Sequence, residues 1–106
     1  MSYRFMRMIV FFDLPTETAQ QRREYTRFRK YLIKSGFMMM QESVYCKLSL
    51  NQTQIGMMQN GLRKNKPHTG LVQSLIVTEK QYAKMEFIVG SFEGDIIADD
   101  ERFIEL

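Results

Sequence analysis

Five consecutive apolar residues, Met8-Ile9-Val10-Phe11-Phe12, end on a carboxylate, Asp13, and Leu14-Pro15-Thr16 follow at once. Residues 3–13 therefore predict a strand, buried mainly over its apolar stretch and broken at Leu14-Pro15. Aspartate is a poor strand former, and an unpaired buried carboxylate costs several kcal/mol. The Asp13 carboxylate must reach water, a cation or a partner. In a chain whose body is otherwise basic, this placement points to an electrostatic or metal-assisted site facing a phosphate polymer. A purely local role competes with it: an Asx-type hydrogen bond that caps the turn.

The charge is unevenly spread. The net formal charge of the 106 residues is only +3, but residues 1–92 carry 14 basic and 6 acidic side chains, and residues 93–106 carry 1 basic and 6 acidic. A basic body with an acidic tail is a pattern of proteins that meet nucleic acid or a basic partner, although an acidic end also serves solvation alone. This length predicts one domain, here residues 1–92 with the acidic tail at 93–106. A single cysteine, Cys46, excludes an internal disulfide and a zinc-ligand cluster. No signal-peptide core and no apolar run near the ~20 residues of a membrane span are found, so a cytoplasmic protein is expected.

Thr16 is a candidate N-cap for a helix running to about Ser35, with Gly36 as its stop. At 100° per residue, Tyr25, Phe28 and Leu32 share one sector, and Arg23, Arg27, Lys30 and Lys34 share the opposite one. Arg22 and Arg29 widen this stripe. A helix face made only of cations, without interleaved acids to pair them, predicts a phosphate-facing surface, with an idle solvated face as the alternative. Residues 37–48 predict one long strand or a hairpin bent near Gln41-Glu42. Ser49 and Gln52 have capping-box spacing before a second helix, whose buried stripe is Ile55, Met58 and Leu62. That helix ends in a basic loop carrying Arg63, Lys64 and Lys66, a second candidate nucleic-acid patch; His68 follows and is expected in solvent.

Residues 71–78 predict a strand with Leu71, Gln73, Leu75 and Val77 on one face, and residues 79–84 a turn or short helix. Alternation at Met85, Phe87 and Val89 predicts a last strand. An acidic loop comes next, and Phe103, Ile104 and Leu106 predict a terminal edge strand. The order is that of an α+β, ferredoxin-like βαββαβ sandwich with helices on one face and additional C-terminal strands. Its bare, apolar sheet face predicts a homodimer packed through the sheet faces. An RNA-recognition sheet would need a basic-Gly-aromatic-Gly-aromatic segment, which is missing, and Met38-Met39-Met40 suits core or interface filling better than base stacking.

Phe11-Phe12-Asp13-Leu14-Pro15, the helix that follows, Gln41-Glu42-Ser43-Val44-Tyr45 and Val77-Thr78-Glu79-Lys80-Gln81 resemble the small CRISPR-associated adaptation protein, the ferredoxin-like partner of the spacer integrase that is often described as an endoribonuclease. The likeness covers about residues 8–87, and Phe-Asp-Leu-Pro-Thr and Val-Thr-Glu-Lys-Gln resemble the type II branch. The resemblance implies a homodimer in which the two Asp13 carboxylates approach across the two-fold axis and bind one Mg2+ or another divalent cation. Magnesium needs only one or two carboxylates and keeps several waters, so one Asp13 per chain suffices. Ser43 would position water or phosphate, or only satisfy its own backbone; Phe12 and Tyr45 would shape the site, or only fill the core. Gln20 and Met39 stand where some members carry arginine, which speaks against vigorous RNA cleavage.

Three functions compete on these grounds. The first is an adaptor in CRISPR spacer acquisition, a dimer that bridges CRISPR integrase subunits and clamps duplex DNA. The second is a metal-dependent endonuclease at paired Asp13, acting on duplex DNA or single-stranded RNA. The third, independent of the resemblance, is a regulatory ferredoxin-like dimer holding a small ligand between its sheets. No Ser/His/Asp or Cys/His constellation can be assembled, which disfavours a side-chain nucleophile.

Overall fold

The computed structural model describes residues 5–91. The elements follow as β1 (Met6–Asp13), α1 (Ala19–Lys34), β2 (Met38–Gln41), β3 (Val44–Ser49), α2 (Gln52–Lys64), β4 (Leu71–Thr78) and a short α3 (Glu79–Ala83). The four strands form one sheet in the order β2-β3-β1-β4, with every pairing antiparallel. This is the ferredoxin-like arrangement: each long helix carries the chain over one intervening strand, and both pack on the same face.

The apolar run is central because it pairs on both edges. Residues 6–11 pair with β3 and residues 6–13 with β4. Alternation then sends Met8, Val10 and Phe12 toward the helices and Arg7, Ile9, Phe11 and Asp13 toward the other face. The helix-side core joins those three residues to Phe28 and Leu32 of α1, Tyr45 of β3, and Ile55, Met58 and Leu62 of α2. Phe12 is its hub, edge-on to Phe28 at 5.2 Å between ring centroids and stacked on Tyr45 at 5.7 Å. Phe12 and Tyr45 are thus buried core residues. The Tyr45 hydroxyl, which could not be buried alone, accepts a 2.8 Å hydrogen bond from Arg29 Nε. Arg29 therefore leaves the cationic stripe and serves the helix–sheet layer.

Both long helices start later than expected. The N-cap of α1 is Thr18, not Thr16: its side chain accepts from the Gln21 amide, and Gln21 Oε1 accepts from the Thr18 and Glu17 amides. Thr16 has no glutamine or glutamate three residues on, whereas Thr18 has Gln21 to complete the reciprocal box. Likewise Asn51, not Ser49, caps α2, because Ser49 remains in β3 with its hydroxyl donating to Asn51 O. The stop is as expected, with Gly36 at φ 95° after the Ser35 C-cap. Residues 37–48 form the hairpin, turning at Glu42-Ser43.

At Gly61 of α2, a Cβ would collide with the Tyr31 hydroxyl oxygen, so glycine leaves room for that side chain of α1 to reach across to α2.

On the opposite face, α3 covers one end of the sheet. Arg7 donates to both Glu79 oxygens, at 2.7 and 3.4 Å, and its guanidinium lies 4.2 Å from the centre of the Tyr82 ring. Burial is the largest single influence and works against the Arg7 charge, but the hydrogen bonds and charge of Glu79 and Cys46 together outweigh it, so the guanidinium pKa is raised. The buried Cys46 thiol touches the Tyr82 hydroxyl at 3.8 Å and acts as part of this packing. Beyond α3 the structure departs from expectation. Residues 85–90 pair with no strand among the described residues. Met85, Phe87 and Val89 instead line an apolar groove of about 530 Å³ with Met40 and Tyr82. Alternation supplies two faces but not a neighbouring edge, and a strand needs both. The acidic tail and the expected terminal strand lie outside the described residues. Among those residues, no helix is long and apolar enough to cross a membrane.

Candidate nucleic-acid interface and carboxylate site

Asp13 closes β1 on the open side of the sheet, exposed and opposite Leu71 in the register. Its carboxylate makes no hydrogen bond or ion pair among the described residues, so the turn-capping role is not the one adopted. Ser43 reaches the same place from the β2–β3 turn. Its carbonyl accepts from the Phe12 amide at 3.0 Å, which fixes the turn to β1. Asp13 and Ser43 then line a shallow pocket of about 180 Å³ with Phe11, Val44, Leu71 and Gln73. The two residues, 30 positions apart in the chain, are brought together because β1 and β3 are neighbours.

The pocket stands at the rim of an apolar surface. Phe11, Leu71 and Leu75 share its sheet face and are 37, 54 and 51 % exposed. Among the described residues, no group of three or more His, Cys, Asp or Glu could hold a metal ion. One chain thus offers a single carboxylate with a hydroxyl nearby. That donor set fits a hard, partly hydrated cation only when a second copy supplies another carboxylate.

The cations divide into two kinds. Arg23, Lys30 and Lys34 on α1, and Lys64 and Lys66 beyond, are exposed, and their side chains have no hydrogen-bond or ion-pair partner among the described residues. Others are engaged locally. Arg22 donates to the carbonyls of Thr16 and Glu17 at 3.1 and 3.0 Å, which fastens the β1–α1 turn. Arg63 donates to Asn60 Oδ1. Arg27 donates to the carbonyls of Asn65 and Lys66, both at 3.3 Å, and so draws the α2–β4 loop onto α1. Because of that bond, the α1 stripe and the basic loop are neighbours.

Sequence reasoning missed Glu24 and its partner. His68 is exposed, as expected, but not free: its amide donates to Glu24 Oε1 at 2.8 Å, and its ring Nδ1 lies against Glu24 Oε2. The His68 amide first, and its ring second, hold the Glu24 carboxyl below the ordinary glutamate range; nearby Arg27 adds to this. A contact across 44 positions has no local signal in a sequence.

The profile of the family described as "CRISPR associated protein Cas2" matches residues 6–85. The chain is 55% identical over 101 residues to the CRISPR-associated endoribonuclease Cas2 of Treponema denticola, covering 95% of this chain and 100% of that protein. It is 45% identical to the protein of the same name from Streptococcus mutans, over 95% of this chain and 93% of the relative. For that of Ligilactobacillus salivarius the identity is 43%, over 95% and 100%. With the ferredoxin-like sheet and a strand-end aspartate already in place, a match of this length leaves one conclusion: the chain belongs to the Cas2 family of CRISPR adaptation proteins.

Proposed function

We propose that this chain works in CRISPR spacer acquisition as a homodimeric adaptor that binds duplex DNA through its helical face and bridges CRISPR integrase subunits. The observation that carries the DNA-binding part is the set of exposed, unpaired cations on α1 and the adjoining loop, Arg23, Lys30, Lys34, Lys64 and Lys66. Cations without acidic partners keep their full charge available for phosphates, and they supply affinity without sequence preference. Arg22, Arg27 and Arg63 support this surface by bonding to the backbone or to a neighbouring side chain that shapes it.

Two observations support self-association. Phe11, Leu71 and Leu75 leave an apolar sheet face in solvent. The outer edge of the sheet, β4, is eight residues long and contains no charge, and such an edge invites pairing unless something covers it. Burying that face against a second copy takes the apolar residues out of water, and the β4 edge could pair with a strand that the copy supplies.

The free Asp13 carboxylate favours a second capacity, metal-dependent endonuclease activity on duplex DNA or single-stranded RNA. Asp13 from each copy would hold the ion, and Ser43 would orient water or a phosphate oxygen by its hydroxyl. A bound divalent cation supplies charge for the phosphate oxygens and lowers the pKa of a coordinated water. In such a dimer the apolar rim of Phe11 and Leu71 would limit bulk water around the paired carboxylates. Asp13→Asn keeps the shape and removes the charge. It should abolish magnesium-dependent cleavage and leave the fold and duplex binding intact. Cleavage at the wild-type rate in this variant would remove the site. Sedimentation as a monomer at micromolar concentration would remove the paired carboxylates altogether.

A further inference from the structure

The loop between α2 and β4 has three separate anchors. Arg27 holds the carbonyls of Asn65 and Lys66. Glu24 holds the amide and ring of His68. Gly70, at φ 96°, rests on the end of β1: a Cβ there would lie 2.8 Å from the Asp13 carbonyl oxygen and 2.7 Å from Leu14 Cδ2. The first two anchors come from successive turns of one helix face. The third meets the residue that follows the β1 apolar run. Between them, Leu14, Pro15, Gln21, Glu24 and His68 line a cleft of about 220 Å³. Glu24 is the odd member of this surface, an acid on the flank of a cationic helix, with its side chain only 17 % exposed.

We infer that Glu24 is a positioning residue: with His68 it forms a strut that holds the α2–β4 loop between α1 and the end of β1. The strut keeps Lys66 beside the α1 cations and Gly70 against the Asp13–Leu14 backbone. The inference rests on the nucleic-acid role proposed above for what the strut serves, but not for the strut itself.

The sign of one substitution separates this role from simple electrostatics. Glu24→Ala removes a negative charge from a phosphate-facing surface. If Glu24 acted only by its charge, duplex DNA would bind more tightly. If it positions the loop, binding weakens despite the favourable change in charge, and the salt slope falls by about one unit as the Lys66 contact is lost.

The test uses the full chain as Glu24→Ala, Glu24→Gln and His68→Ala, with a short random-sequence DNA duplex as the probe. Amide exchange of Lys66, His68, Thr69 and Gly70 is measured alongside affinity over a salt series. Glu24→Ala should speed exchange in the loop by about 5- to 10-fold, the factor that one or two lost hydrogen bonds give, with α1 and β1 unchanged. Its duplex affinity should fall. Glu24→Gln keeps an acceptor for the His68 amide and should recover much of both. Tighter binding by Glu24→Ala, or loop exchange at the wild-type rate, would overturn the inference. A wild-type chain that bound no duplex would remove the nucleic-acid role, while the exchange measurement would still decide whether the strut exists.

Discussion

Gly61 and Gly56 occupy the same helix, and replacing each by alanine should have opposite effects. Both lie inside α2, where alanine is intrinsically favoured over glycine by roughly 0.5–1 kcal/mol. At Gly56 nothing lies within 4 Å of the added methyl, so Gly56→Ala should gain about that amount. At Gly61 the methyl would collide with the Tyr31 oxygen. Relaxed carbon contacts lie near 3.5 Å or beyond, so Tyr31 must retreat by more than ~1 Å. Its ring is half-buried beside Phe28, with centroids 6.4 Å apart, so a retreat disturbs that packing. Overpacking of this kind costs about 1–3 kcal/mol, which outweighs the propensity gain and leaves Gly61→Ala less stable by about 1 kcal/mol. Thermal unfolding at fixed protein concentration would show this as a drop of roughly 4–8 °C. The double variant Tyr31→Phe/Gly61→Ala removes the offending oxygen. The nearest ring carbon is then 3.5 Å away, an ordinary contact, and stability should rise toward that of Gly56→Ala. A Gly61→Ala protein as stable as Gly56→Ala would refute the seating of the Tyr31 hydroxyl on Gly61.

Gly70→Ala combines a left-handed backbone with collision against the Asp13 carbonyl and Leu14. It should destabilise by more than Gly61→Ala, about 2–4 kcal/mol by chemical denaturation, and should impair any magnesium-dependent cleavage as the end of β1 shifts. The Glu24 tether should respond to acid. Because folding depresses the Glu24 pKa, its contribution is present above the ordinary glutamate range and is lost as pH falls through the depressed value. Amide exchange at His68, corrected for intrinsic rates, should accelerate in that window in the wild type and show no such step in Glu24→Gln.

Much of the fold was legible because it depends on local periodicity. The apolar run fixed β1, the Ile55-Met58-Leu62 spacing fixed the buried side of α2, and the Gly36 stop ended α1 where expected. The α1 stripe was legible as a face but not as a set of contacts. Arg29 belongs to Tyr45 and Arg27 to the α2–β4 loop, and both assignments depend on where distant strands and helices lie. The same limit applies to 85–89, where alternation was real and the neighbouring edge was not among the described residues. Asp13 stood out because a carboxylate at the end of an apolar strand is locally unfavourable. Glu24 did not, because an exposed-looking acid on a helix is ordinary until His68 is folded against it. At the helix starts the competing signals were all present, and the reciprocal glutamine decided for Thr18 over Thr16.

The nucleic-acid role depends on cations that are free rather than merely numerous, and a salt series separates the two. Duplex DNA binding should be followed for the wild type, for Arg23→Ala/Lys30→Ala/Lys34→Ala, and for Lys80→Ala/Lys84→Ala as a loss of charge elsewhere. If the three α1 cations each meet a phosphate, their removal should lower the slope of log affinity against log salt by roughly 2–3 units, while the second variant stays near the wild type. Equal slopes in all three proteins would contradict the proposed interface and leave the α1 stripe as a solvated face.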